Sequence, residues 1–179
     1  MSYSVVALHD RLRDSARKYP WRTAIYYEGV ELSYEQLDRA SDRVAASLSR
    51  LGVVKGDRVA LYLPNSPQFV ICLYGALKAG AIVVPCNPAY KEMELNYQLK
   101  DSGAKILVAF NMLVDAAKRA AKGTAVERII ITGYEDVLPA IHLALKDMIV
   151  ERLGDEELVG LTDLIAESKN GAPDVAIDP

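Results

Sequence analysis

By residue type, Cys86 is the side chain best placed to do chemistry. It stands with Asn87 and Pro88 just past the apolar run Ala81–Pro85. Open α/β sheets gather their ligands outside the carboxyl ends of their strands, and a thiolate held there is a nucleophile. A thiolate at neutral pH needs a nearby cation or a helix N-terminus to lower its pKa, and no basic residue lies close to Cys86 in the sequence. The turn reading competes with the chemical one, because Asn before Pro caps its own backbone in tight turns. Cys72, between Ile71 and Leu73 in a helical pattern, reads as core packing. His9 and His142 are far apart and lack a Cys or His partner at metal-ligand spacing. His9 falls on a surface-helix pattern. No serine sits in a G-x-S-x-G elbow. None of the 11 glycines forms a G-G or G-x-G pair, so these residues contain no Walker loop and no dinucleotide fingerprint.

The elements that must position these groups follow from periodicity. Val5, Leu8, Leu12, Ala16 and Tyr19 lie at helical spacing over Val5–Tyr19, and Pro20 ends that helix. Ala24–Tyr27 and Val30–Leu32 flank Glu28-Gly29, a hairpin signal in which glycine supplies the positive φ of the turn. The Tyr26-Tyr27 pair and Tyr34 are expected to pack with this hairpin and the first helices. Ser33 caps the next helix with Gln36 at the capping-box position. Leu37, Val44, Leu48 and Leu51 line its buried side, and Gly52 stops it.

From Arg58 the chain becomes regular. Strand-like runs begin at Arg58, Ala81, Lys105 and Arg128, in steps of 23, 24 and 23 residues. Helical patterns Gln68–Lys78, Glu92–Lys100 and Met112–Ala121 fill the gaps, with Gly80, Gly103 and Gly123 after them. The runs VALYL, AIVVP, ILVAF and IIIT are apolar on both faces, as a covered parallel sheet requires. The fold class is therefore α/β: a parallel sheet of βαβ units with flanking helices and an N-terminal hairpin. Leu138, Ile141, Leu145, Met148 and Leu153 predict one amphipathic helix; Leu161, Leu164 and Ile165 predict a short one. Ser168–Pro179 reads as a linker or an end.

With 51% hydrophobic and 25% charged residues the chain is globular, and a net charge of −3 argues against a nucleic-acid binder. Two cysteines in apolar runs give no disulfide framework and suit a reducing cytoplasm. The longest apolar run, Phe69–Leu77, is too short to span a bilayer. Lys146, Asp147, Glu151 and Arg152 mix signs along the Leu138–Leu153 segment, which reads as a solvated face more than as a peripheral membrane anchor.

Four segments match a known family in order and spacing. They are L-S-Y-E-Q-L at Leu32–Leu37, V-K-G-D-R-V-A-L-Y-L-P-N at Val54–Asn65, L-K-A-G-A-I-V-V-P-C-N-P at Leu77–Pro88, and Y-K-E-M-E-L-N-Y-Q-L-K-D-S-G-A-K at Tyr90–Lys105. Together they resemble the opening third of adenylate-forming acyl-CoA ligases of the AMP-binding superfamily, and the last resembles the long-chain fatty-acid–CoA ligases in particular. The resemblance implies a two-step reaction in which a fatty acid attacks ATP, accompanied by Mg2+, to give an acyl-adenylate, and CoA then takes the acyl group. Three elements carry that reaction in the family: a Ser/Thr/Gly-rich loop ending in Lys-Gly, a ribose-holding aspartate and a lysine on a small C-terminal domain. None of their motifs occurs here, so no catalytic residue is carried over. The resemblance makes residues 1–179 the N-terminal subdomain of the large ligase domain, stopping before the phosphate-binding loop. It implies no adenylation by this chain alone and no cofactor bound to it. It also places Cys86, Asn87 and Pro88 near the channel for the nucleotide end of CoA, with Lys118 a further contact for CoA phosphates. A domain lacking its other half should expose apolar surface, and self-association through the apolar helix Phe69–Leu77 is the expected consequence.

Two other classes compete. A stand-alone flavodoxin-like binding or regulatory module also has evenly spaced parallel strands. Its response-regulator form expects acidic residues after the first parallel strand, where Leu63-Pro64-Asn65 stands instead. A purely structural protein would lend its sheet and helices to a partner.

Overall fold

A computed structural model describes residues 6–133, 152–153, 156–161, 172–173 and 175. Helix α1 (Leu8–Lys18) leads into an antiparallel hairpin, β1 (Thr23–Tyr27) and β2 (Val30–Ser33). Its turn has positive φ at both Glu28 (47°) and Gly29 (83°), the combination that matches the twist of the flanking strands. Helix α2 (Tyr34–Arg50) starts with the expected capping box: the Gln36 amide N–H donates to Ser33 Oγ, and the Ser33 N–H donates to Gln36 Oε1.

The remaining elements alternate: β3 (Arg58–Tyr62), α3 (Pro67–Lys78), β4 (Ile82–Pro85), α4 (Glu92–Ser102), β5 (Ile106–Phe110), a 3₁₀ turn Asn111–Leu113, α5 (Val114–Ala121) and β6 (Arg128–Thr132). Two further strands follow, β7 (Arg152–Leu153) and β8 (Glu156–Gly160). The sheet order is β4-β3-β5-β6-β8-β7; the first five strands are parallel and β7 runs antiparallel to β8.

Strand side chains divide between two cores with a period of two. Val59, Leu61, Ile106, Val108 and Ile130 join Val44, Leu48, Cys72 and Ala76 beneath α2 and α3. Ala60, Tyr62, Leu107, Ala109 and Ile129 join Leu95, Leu99, Ala117 and Ala120 beneath α4 and α5. The chain steps from β3 outward to β4, then back across β3 to β5 and onward to β6. Crossovers of one hand in opposite directions place their helices on opposite faces, which is why α3 and α4 are on different sides.

The α2–α3 contact is close and carries a buried charge. The Lys78 side chain is 0% exposed, and its ammonium lies 2.6 Å from Asp38 Oδ1 and 2.7 Å from Asp42 Oδ1. Gly75 makes room for this contact: a Cβ there would stand 2.5 Å from Val44 Cγ1. Also at the amino ends of the strands, Arg58 donates to the Ser102 and Gly103 carbonyls, and Lys105 joins Asp57 to the Gly52 carbonyl.

Several expectations are corrected. The first helix begins at Leu8, and His9 is buried at 6% exposure instead of lying on a surface. Tyr26, on β1, is exposed instead of packed inside, whereas Tyr27 and Tyr34 are partly buried. The run AIVVP is not covered on both faces, because β4 is the edge of the sheet among the described residues and both Ile82 and Pro85 are exposed. Pro85 suits an edge, where its missing N–H costs no ladder bond. The segment Glu156–Gly160 forms a strand that the periodicity does not reveal, and Leu153 belongs to β7 instead of ending a helix. Helix α3 is apolar all round because it lies between the sheet and α2, and none of its residues is exposed. The rest of the segment Leu138–Leu153, with His142, and the short helix after Leu161 lie outside the described residues. Of the stretch read as a linker, Ala172 packs against the first core cluster.

Candidate functional site

The carboxyl ends of β4, β3, β5 and β6 present four connections: Cys86–Lys91, Leu63–Ser66, Asn111–Leu113 and the residues after Thr132. The direction of winding reverses between β3 and β5, so the crevice of this sheet opens there. Ser66 caps α3, accepting from the Phe69 N–H at 3.4 Å, and Pro67 fills the first helical position. Gln68, 2% exposed, spans the crevice: its Nε2 donates to the Gly133 carbonyl, while its buried Oε1 has no hydrogen-bond partner. Sequence reading places Gln68 at the start of an apolar helix and gives it no role. The available signal was a polar residue one position after Ser-Pro at a helix start.

The turn after β4 is held by hydrogen bonds within it and by bonds to β3. The Cys86 N–H donates to the Leu61 carbonyl (2.9 Å) and so continues the ladder with β3. Asn87 Oδ1 accepts from the Ala89 N–H (3.0 Å), and the Asn87 carbonyl accepts from the Tyr90 N–H (2.9 Å). The Tyr62 hydroxyl donates to the Tyr90 carbonyl and ties this turn to the buried strand beside it. Asn87 thus acts as a cap for its own turn. Cys86 is 4% exposed and belongs to the core beneath α4; burial pushes its thiol up to about 11. A thiol held protonated at neutral pH is not a nucleophile, so the chemical reading of Cys86 gives way to packing. Cys72 is buried as expected.

Cys86 and Asn87 share one turn, and the sheet does not place Lys118 beside them. Lys118 is half-buried on α5, which follows β5, and β3 intervenes between β4 and β5. Two strand spacings separate those strands by about 10 Å. Among the described residues no group of three or more His, Cys, Asp or Glu side chains is placed to hold a metal ion. Lys78 and Lys105 are committed to aspartates away from this edge. The residues described at the crevice therefore do not fit a nucleotide's phosphate chain or its magnesium by themselves.

His9 packs where α1 meets α2 and α3. Burial draws its imidazole below the ordinary 6.5; Asp10 opposes that shift, and Arg13 and Lys78 reinforce it. This is the environment of a neutral packed histidine.

Comparison with known proteins agrees with this architecture. The family described as "AMP-binding enzyme" matches residues 12–163. The long-chain-fatty-acid–CoA ligase of Bacillus subtilis is 42% identical over 132 residues, covering 74% of this chain and 24% of the relative. Apo MbtA of Mycobacterium smegmatis superimposes with a TM-score of 0.75 at 27% identity, over 97% of this chain and 29% of that one. A long-chain-fatty-acid-CoA ligase of Archaeoglobus fulgidus superimposes with a TM-score of 0.67 at 30% identity, over 74% of this chain and 28% of that one. The chain spans about a quarter of the length of the curated relatives it matches, 24% and 26% for the ligases of Bacillus subtilis and Escherichia coli. A family match across most of the chain, on a sheet wound as these neighbours' are, places the chain in the AMP-binding enzyme family.

Proposed function

We propose that residues 1–179 form the N-terminal subdomain of a long-chain fatty-acid–CoA ligase. The observation that carries this reading is the 42% identity to the Bacillus subtilis ligase over 74% of this chain. The reaction proposed for the complete enzyme has two steps. The carboxylate of a fatty acid attacks the α-phosphorus of ATP, expelling pyrophosphate and forming an acyl-adenylate. The thiol of CoA then takes the acyl group and releases AMP. Magnesium would accompany ATP, held by residues beyond those described.

The part of this chain in that enzyme is architectural. Its two cores hold the crevice between β3 and β5 in shape, and the Gln68 bridge fixes the spacing between α3 and the end of β6. At the edge proposed for CoA, Asn87 is exposed on the β4 turn with Cys86 supporting that turn from below, and Lys118 on α5 is proposed as a separate contact for CoA phosphates, away from that turn. No helix of the described residues is long and apolar enough to cross a membrane. A cytoplasmic location, self-association of the isolated chain and peripheral membrane contact complete the proposal.

The test compares the 179-residue chain with the full product of the reading frame that encodes it. Palmitate, ATP and CoA are supplied, and pyrophosphate exchange and palmitoyl-CoA are measured. The expected result is palmitoyl-CoA from the full product and no exchange above background from the 179-residue chain. Exchange by the short chain, or a full product unable to activate any fatty acid, overturns the proposal. One observation favours a second reading. The order β4-β3-β5-β6-β8 is that of flavodoxin-like modules, which bind ligands at the same crevice. That reading expects a small ligand to bind the short chain alone.

A further inference from the structure

Two consecutive residues of β3, Leu61 and Tyr62, hold the turn after β4 at its two ends. At the front, the Leu61 carbonyl accepts from the Cys86 N–H at 2.9 Å, and Gln98 of α4 donates its Nε2 to the Pro85 carbonyl at 3.0 Å. At the back, the Tyr62 hydroxyl donates to the Tyr90 carbonyl, one residue before Lys91, where α4 is capped. The front is thus fixed by the backbone of the sheet. Among the described hydrogen bonds, the Tyr62 hydroxyl is the link from the sheet to the back of the turn.

The inside of the turn is set locally. Asn87 Oδ1 accepts from the Ala89 N–H, the Asn87 carbonyl accepts from the Tyr90 N–H, and the Pro88 ring fixes its own φ. These bonds give the turn its shape but do not fix where it stands against the sheet. Its placement falls to the two ends. Tyr62 is suited to that task, since it is 1% exposed and belongs to the core that holds Cys86, Leu95 and Leu99. A ring in a close-packed core has little room to move, so its hydroxyl is a fixed point. Burial, with Cys86 and Glu94 nearby, raises the phenol above its ordinary 10, and the hydroxyl stays a donor at neutral pH. Without that hydroxyl the turn keeps its shape and is free to pivot about Cys86.

We infer that Tyr62 is a positioning residue: through the Tyr90 carbonyl it sets where Asn87 stands at the edge proposed for CoA. The inference rests on the ligase reading and deepens it, because it names a buried strand residue on which the use of CoA depends. In that reading the adenylation step does not use this edge, so the effect is confined to the step that takes the thiol.

The test uses the full product of the reading frame as the parent, with Tyr62→Phe, Asn87→Ala and the double variant. Phenylalanine keeps the ring in the core, so folding is retained, and thermal melts by circular dichroism check it. Palmitoyl-CoA formation is followed against CoA concentration at saturating ATP and palmitate, and pyrophosphate exchange is followed without CoA. The expected result for Tyr62→Phe is a KM for CoA raised about three- to tenfold, the size of one neutral hydrogen bond. Its kcat and pyrophosphate exchange should stay within about twofold of the parent. A merely structural loss would lower those two together and leave the KM in place. Because Tyr62 acts through Asn87, Tyr62→Phe should raise the KM by less than about twofold in the Asn87→Ala background. Amide hydrogen exchange, read by mass spectrometry, should quicken about three- to tenfold in the peptide Cys86–Lys91 and stay unchanged in β5. With an active parent, an unchanged KM for CoA, unchanged amide exchange in the turn, or kcat and pyrophosphate exchange falling in step overturns the inference and leaves the ligase reading standing. A parent that forms no palmitoyl-CoA overturns that reading and the inference with it.

Discussion

Replacing Lys78 with methionine tests the energetic logic of the α2–α3 contact. Methionine keeps most of the volume of the aliphatic stem, so the change removes a charge and its hydrogen bonds with little loss of packing. The ammonium is wholly buried and bonded to Asp38 Oδ1 (2.6 Å), Asp42 Oδ1 (2.7 Å) and the Asp38 carbonyl (3.0 Å). Removing one partner of a fully buried pair costs about 3–5 kcal/mol, because the other charge is left without compensation. Here the carboxylates remain 21% and 29% exposed and can recruit water. The expected cost is therefore smaller, about 2–3 kcal/mol. For a domain of this size that lowers Tm by about 5–10 °C, read by thermal and urea melts followed by circular dichroism. The triple variant Asp38→Asn/Asp42→Asn/Lys78→Met removes both stranded charges and should regain most of the loss. If Lys78→Met stays within about 0.5 kcal/mol of the parent, or the triple variant is no better than the single, the reasoning is refuted.

Three other outcomes are expected. Gly75→Ala gains about 1 kcal/mol of helix propensity but sets a Cβ 2.5 Å from Val44 Cγ1, so the net effect is destabilising by about 1–2 kcal/mol, and Val44→Ala in the same chain should relieve it; a stabilised Gly75→Ala would contradict the close approach. His9 has its folded pKa held below 6.5, so the unfolded chain binds the proton first and stability falls as pH drops below about 6.5; urea midpoints measured from pH 8 to pH 5 should show that fall, and His9→Gln should flatten it. With Cys86 pushed up to about 11 and both thiols buried, neither should react with a disulfide reagent at pH 8 in the folded chain, and both should react in denaturant; fast labelling of the folded chain would mean the β4 turn is open.

The order of elements was legible in the residues because each signal is local. Ser33 with Gln36 closes a capping box within one turn, Glu28-Gly29 sets its own φ angles, and the apolar runs from Arg58 to Thr132 follow the periods of strand and helix. The turn at Asn87 was likewise readable, since its side chain bonds a backbone two residues away. Long-range partners were not readable. His9 looked like a surface residue because its own helix is polar around it, and only the arrival of α2 and α3 buries it. Lys78 is only the last residue of a helical pattern in the sequence, and Asp38 and Asp42, some forty residues earlier, enclose it in the fold. The AIVVP run looked like a covered strand, but winding outward from β3 left it at the sheet edge. Strand order also decided the candidate site. Reversal between β3 and β5 locates the crevice, brings Gln68 to Gly133 and leaves Cys86 under α4. Residue types and spacings therefore determined which elements form, because those depend on neighbours within a few positions. Which side chains are buried, paired or left facing water depended on contacts between distant segments, and only the tertiary structure decides those.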